Sequence, residues 1–195
     1  MERVRSAAAV VMVVTSLSLV SASGCSSSTP AANATTPSDA IATLPCQDVI
    51  ASASAPPSDF SIVLDRVALP TGRALQVSLL GGSDPGAMRF AKEGLLIRRG
   101  ASFDLVVPAD WRGRVSVGWG SSAKGSSHLR VPGCRPTGPI NQPHYQASDD
   151  WIAYAGGYWV AEPACVSLLV KAGQAQQTVR IGVGASCPGQ AAPPA

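Results

Sequence analysis

Apolar and polar residues trade places at every second position in five separate stretches of this chain. Leu75, Val77 and Leu79 alternate with Gln76 and Ser78, and Phe103, Leu105 and Val107 with Ser102 and Asp104. Val115, Val117 and Trp119 alternate with Arg114, Ser116 and Gly118. Leu129 and Val131 follow His128 and Arg130 in the same way, and Val179, Ile181 and Val183 flank Arg180 and Gly182. Side chains on an extended backbone point to opposite faces in turn, so a period of two means strands with one buried face. Residues 60–69, 95–98, 151–160 and 166–171 add apolar runs of strand length. Turn signals separate them: Pro70-Thr71-Gly72, the Gly-rich stretch 81–86, the Gly/Ser stretch 120–127, Pro132-Gly133 and Ala172-Gly173.

Seven to nine short strands between residues 46 and 187 predict an all-β fold, an antiparallel β-sandwich with immunoglobulin-like topology. A partly open barrel is the second choice. Residues 87–94 are the one place where a helical turn is expected. Gly156-Gly157, inside a strand pattern, predicts a bulge or bend. Alternation places Trp119 in the core and His128 on an outward face.

Composition removes other classes. Charged residues make up 14% of the 195 and hydrophobic residues 46%, which excludes a coiled coil and a wholly disordered chain. A net charge of +3 is too weak a field to indicate a nucleic-acid partner. No apolar run is long enough for a polytopic membrane protein.

The first 24 residues read as a signal peptide. Arg3 and Arg5 precede an apolar core of 14 residues, 7–20, interrupted only by Thr15, Ser16 and Ser18, and small residues follow. Ala22-Ser23-Gly24-Cys25 resembles a bacterial lipobox, although Ala22 stands where a Leu is usual. The resemblance implies cleavage before Cys25 and a diacylglyceryl thioether on its sulfur, with acyl chains of the palmitate kind. Two acyl chains anchor stably where one, at ~0.8 kcal/mol per buried CH₂, holds only marginally. Residues 25–45, with one charge and no aromatic residue, are then the anchor and a flexible tether, 46–187 the domain, and 188–195 a disordered tail. The expected location is the outer face of the plasma membrane of a Gram-positive bacterium. Twelve Arg against three Lys, with abundant Ala, fit a GC-rich genome.

Cysteine parity agrees with the lipobox. If Cys25 carries lipid, Cys46, Cys134, Cys165 and Cys187 remain to form two disulfides in an oxidising compartment. Three connectivities are open. Pairing 46–187 with 134–165 is preferred because the ends of a domain often lie close together. Pairing 46–134 with 165–187 ranks next, since Cys165 and Cys187 bracket the last hairpin. There is no C-x-x-C pair, and spacings of 88, 31 and 22 argue against zinc.

The stretch from 65 to 190 is similar to a group of uncharacterised lipoproteins and secreted proteins of actinobacteria. The likeness rests on Val67-Ala68-Leu69-Pro70, Ala91-Lys92-Glu93-Gly94-Leu95-Leu96-Ile97-Arg98, Val106-Val107-Pro108 with Trp111, Gly156-Gly157-Tyr158-Trp159-Val160, Ala164-Cys165-Val166, Ile181-Gly182-Val183-Gly184 and Cys187-Pro188-Gly189-Gln190. It implies export and a compact β domain, and no activity.

No catalytic residue is expected. Ser121-Ser122-Ala123-Lys124 matches S-x-x-K but lies in a loop without its companion motifs, so chance explains it better. His128 and His144, the two histidines, lack any G-x-S-x-G context and read as surface residues. Asp149-Asp150 with Asp84 lacks the regular oxygen spacing of a calcium loop, and no metal or cofactor is expected. Trp151, Tyr154, Tyr158 and Trp159 put aromatics on both faces of one strand, so they are the candidate ligand contacts, though sealing the core is the more ordinary use. The 18-residue loop 132–149, starting beside Cys134, is weighed equally as a sheet crossover and as a functional loop presenting Arg135, Asn141, His144 and Tyr145. Two functions follow. The first is a non-catalytic binding or structural module, with the membrane as partner through the lipid and cell-wall glycan or an envelope protein beyond it. The alternative is a hydrolase or transpeptidase-like wall enzyme using His128 or His144.

Overall fold

Period-two alternation makes each strand two-sided, and the apolar sides have to be closed against each other. The computed structural model describes residues 38–79, 87–121, 125–137 and 140–193. The signal peptide, Cys25 and residues 26–37 of the tether lie outside the described residues, as do Asp84 and residues 122–124 of the S-x-x-K match. One compact unit spans Ala34–Ala195.

Fourteen strands are described: β1 (Ser38–Thr43), β2 (Val49–Ala53), β3 (Phe60–Val63), β4 (Val67–Pro70), β5 (Ser78–Leu79), β6 (Arg89–Lys92), β7 (Leu95–Arg98) and β8 (Ser102–Val106), then β9 (Val115–Trp119), β10 (Ser126–Pro132), β11 (Trp151–Tyr154), β12 (Gly156–Val160), β13 (Ala164–Ala172) and β14 (Ala175–Val183). They form two sheets. The larger runs β14-β13-β8-β10-β9-β12-β6-β5, with β1 added alongside β10, and the smaller runs β2-β11-β7-β4-β3. Among the described strands every ladder is antiparallel except β1 with β10, and four isolated bridges are parallel as well. The all-β, two-sheet antiparallel sandwich is therefore the fold, with nine strands in the larger sheet and five in the smaller, against seven in total for the immunoglobulin constant type.

The core lies between the sheets. Phe103, Leu105, Val117, Trp119, Leu129 and Tyr158 come from the larger sheet, and Val49, Val67, Leu95, Ile97, Ile152 and Tyr154 from the smaller. Trp119 is fully buried, as alternation requires, and meets Tyr158 edge to face at 5.3 Å. Its indole Nε1 donates to the Glu93 carbonyl at 2.8 Å, so the one polar atom of the largest core side chain is satisfied.

Several local expectations change. Residues 60–69 form a hairpin rather than one strand, turning at Leu64 and Asp65 with φ of 50° and 56°. Residues 89–92 are β6, not a helical turn, and pair with both β5 and β12. The bend at Gly156-Gly157 is real and large: β11 belongs to the smaller sheet and β12 to the larger, so the chain changes sheets at Ala155.

The domain also begins before residue 46. Ser38–Thr43, within the expected tether, is β1, pairing Ile41, Ala42 and Thr43 with His128, Leu129 and Arg130. This segment has little apolar period because only Ala42 packs on the core while Ile41 stays half exposed. The tail is docked through Ala191, not loose. Gln190 accepts from the Cys187 amide at 3.0 Å and donates to the Thr71 carbonyl at 2.9 Å, and Ala191 accepts from the Ala74 amide at 2.9 Å.

The cysteine pairing is 46–134 and 165–187, not the preferred nested pattern. Strand neighbours decide it. β1 leads Cys46 to the end of β10, where Cys134 follows, and the β13–β14 hairpin sets Cys165 opposite Gly182, five residues before Cys187.

Candidate functional site

The aromatic set does not make a site. Trp151, Tyr154 and Tyr158 are 3%, 0% and 1% exposed, which removes them as ligand contacts. Because β11 and β12 lie in different sheets, the aromatics were never two faces of one strand. Trp151 is covered by the Arg98 guanidinium, 4.9 Å over the ring. Tyr154 donates to the Cys46 carbonyl at 3.2 Å. Burial holds both the Tyr154 and Tyr158 hydroxyls far above the usual tyrosine range, so each stays neutral. Trp159 alone is half-buried, packed at a tilt of 39° against Phe90 with ring centroids 4.6 Å apart.

The described part of the loop after Cys134 lines a cleft. Leu44 donates its amide to the Arg130 carbonyl at 2.9 Å, and Pro45 opens a 3-10 turn, Cys46–Asp48. The Cys46–Cys134 bridge ties this turn to the loop, and Cys134 is fully buried. Between turn and loop lies a cleft of about 480 Å³, lined by Cys46, Gln47, Val49, Arg135, Pro136, Thr137, Ile140, Asn141 and Gln142. Val49 is buried, and Cys46, Pro136 and Ile140 are half-buried. Gln47, Arg135, Thr137, Asn141 and Gln142 are exposed, so the cleft has apolar parts and a polar rim.

The far half of the loop is fastened separately. Ser52 donates its amide to the His144 carbonyl at 2.8 Å and its hydroxyl to Asp149 Oδ2 at 2.6 Å. Arg99 donates through Nη1 to the Tyr145 hydroxyl at 2.8 Å and through Nε to the Asp149 carbonyl at 2.9 Å. Arg135 and Asn141 line the cleft, whereas Tyr145 holds the loop down. His144 is exposed beside β2, and Asp149 accepts from the Ser52 hydroxyl. Among the described residues no group of three or more His, Cys, Asp and Glu could hold a metal.

The two histidines are not brought together. His128 lies in the larger sheet with Nε2 3.5 Å from Asp104 Oδ2, and Asp104 also accepts from Arg130 Nε at 3.1 Å. His144 pairs with Ala51 of the smaller sheet. Of the S-x-x-K match, Ser121 gives its amide to Asp48 Oδ2 at 2.5 Å.

A second polar cluster sits at the β6–β7 turn, which no sequence signal marked. Glu93 accepts from Arg73 Nη2 at 3.0 Å, and Arg73 Nε also reaches Asp59 at 2.7 Å. Burial raises the Glu93 carboxyl above the usual range; the Gly94 amide and Arg73 oppose this without overcoming it. Among the described residues no helix is long and apolar enough to cross a membrane. No protein-family profile, no curated protein and no solved structure matches this chain.

Proposed function

We propose that this chain is a lipid-anchored extracytoplasmic module of a bacterial envelope that binds rather than catalyses, and that its cleft holds cell-wall glycan. The observation that carries this reading is the make-up of the cleft: three side-chain amides and a hydroxyl on a rim held by a disulfide. Amides offer donors and acceptors together, which suits sugar hydroxyls and N-acetyl groups. A rim fixed by a covalent bridge loses little conformational freedom on binding, which raises affinity. A volume near 480 Å³ falls within the ordinary range for small-ligand sites.

The envelope location rests on cysteine use. Cys46, Cys134, Cys165 and Cys187 pair among themselves, leaving Cys25 as the odd thiol at the lipobox. Both bridges suit an oxidising compartment. The membrane is then the first partner, through Cys25, and the glycan the second.

The test uses full-length protein extracted in detergent and titrated calorimetrically with solubilised wall-glycan fragments. Saturable binding is expected, weakened about tenfold when Asn141 and Gln142 both become Ala. Folded protein that binds no fragment rejects the glycan reading. So does photo-crosslinking from Asn141 that captures an envelope protein while glycan fails to compete.

A further inference from the structure

We infer that the cleft selects a carboxylate-bearing ligand, with Arg135 as the residue that receives the anion and Gly100 as the residue that positions Arg135. This rests on the glycan reading above and names the acidic substituent that the glycan must carry.

The first observation is an uncommitted cation at a built position. Arg73, Arg98, Arg114 and Arg130 each meet a carboxylate within 4 Å. Arg99 is spent on Tyr145 and the loop backbone. Among the described residues Arg66, Arg89, Arg112, Arg135 and Arg180 meet no carboxylate through the side chain, and of these only Arg135 lines the cleft. No carboxylate lines the cleft either, so nothing in its wall competes for the guanidinium.

The second observation is steric. Gly100, at φ +79°, lies beneath the Arg135 guanidinium, and a Cβ built there would stand 2.5 Å from Arg135 Cζ and Nη2. The same glycine donates its amide to the Cys134 carbonyl at 2.8 Å, so the β7–β8 turn and the start of the loop are locked together. Cys134, the residue before Arg135, is held by the disulfide. The side chain thus leaves a fixed backbone and lies on a surface that only glycine leaves flat.

The chemistry of the group sets the ligand. A guanidinium is a planar fork whose parallel N–H donors match the two coplanar oxygens of a carboxylate. A phosphate dianion would keep an uncompensated charge against a single cation. The neutral rim, Gln47, Thr137, Asn141 and Gln142, then meets the hydroxyls and amides around that carboxylate. An amino sugar with an acidic ether substituent, the acid-bearing unit of a wall glycan, has this combination.

The experiment titrates full-length protein in detergent with a matched pair of probes: a wall-glycan disaccharide with its free carboxylate, and the same disaccharide converted to the carboxamide. Wild type is expected to bind the amide about tenfold to a hundredfold more weakly, since hydrogen bonds to charged groups contribute more than neutral ones. Arg135→Gln should remove the discrimination, bringing the two probes to the same affinity. Gly100→Ala should reduce the discrimination with Arg135 still present. Equal wild-type affinity for both probes overturns the inference and leaves the glycan reading standing. Binding of neither overturns the glycan reading as well. Competition by inorganic phosphate stronger than by acetate at equal concentration overturns the assignment of carboxylate. Arg135→Gln carries the decision alone if Gly100→Ala does not fold.

Discussion

Glu93 shows how far one side chain can be pushed by its position. Its backbone carbonyl caps Trp119, its carboxyl pairs with Arg73, and burial still raises the carboxyl above the ordinary range. A carboxyl raised by folding keeps its proton in the native state at pH values where the unfolded chain has released it. Its contribution to stability is therefore full below the ordinary carboxylate value and fades as pH rises through the raised one. Replacing Glu93 with Gln should let the variant gain on wild type in melting temperature as pH climbs through that window. Arg73→Met should move the Glu93 titration higher still, read from the carboxyl carbon by NMR; a midpoint at or below that of a solvated Glu would contradict both expectations. Individual residues were legible in the sequence where alternation alone decides them. Trp119 is inside because its strand neighbours say so. The Tyr154 bond to the Cys46 carbonyl spans 108 residues, and no local pattern encodes it.

At the scale of elements, Gly156 and Gly157 form the corner where the chain passes from one sheet to the other. A side chain at Gly157 would overlap the Ala91 carbonyl, and one at Gly156 the Gly118 carbonyl, so backbone would have to move in either case. Gly157→Ala should cost about 3 kcal/mol or more in denaturant unfolding, through overpacking against backbone that cannot yield. A loss below about 0.5 kcal/mol would mean that the corner is slack. The glycines advertised this bend, and the five alternating stretches advertised β8, β9, β10, β14 and the short β5. What stayed hidden has identifiable causes. The β3–β4 turn uses Leu64 and Asp65 at positive φ, where a hairpin of this kind ordinarily displays Gly or Asn. β1 borrows its order from β10 instead of carrying an apolar face of its own. The cleft was half legible: loop length and Cys134 drew attention to Arg135 and Asn141, but Gln47 belongs to a turn 88 residues earlier than Arg135 and joins them through the β1–β10 pairing and the bridge.

For the molecule as a whole, the two disulfides divide the labour of stapling unequally. The Cys46–Cys134 bridge closes a separation of 88 residues and Cys165–Cys187 one of 22. Restricting the unfolded chain makes the first contribute about 4–5 kcal/mol and the second about 3 kcal/mol. Cys46→Ser with Cys134→Ser should therefore lower the urea midpoint more than Cys165→Ser with Cys187→Ser, and the reverse order would refute the entropic account. The longer bridge also has a mechanical meaning. β1 and β10 run in the same direction, and the covalent clasp lies three residues beyond Thr43 and four beyond Arg130. A force drawing on the chain ahead of Ser38 can peel off that first strand and no more. Tension then passes through sulfur into the centre of the larger sheet, so the body behind the clasp should bear load until a reductant opens it.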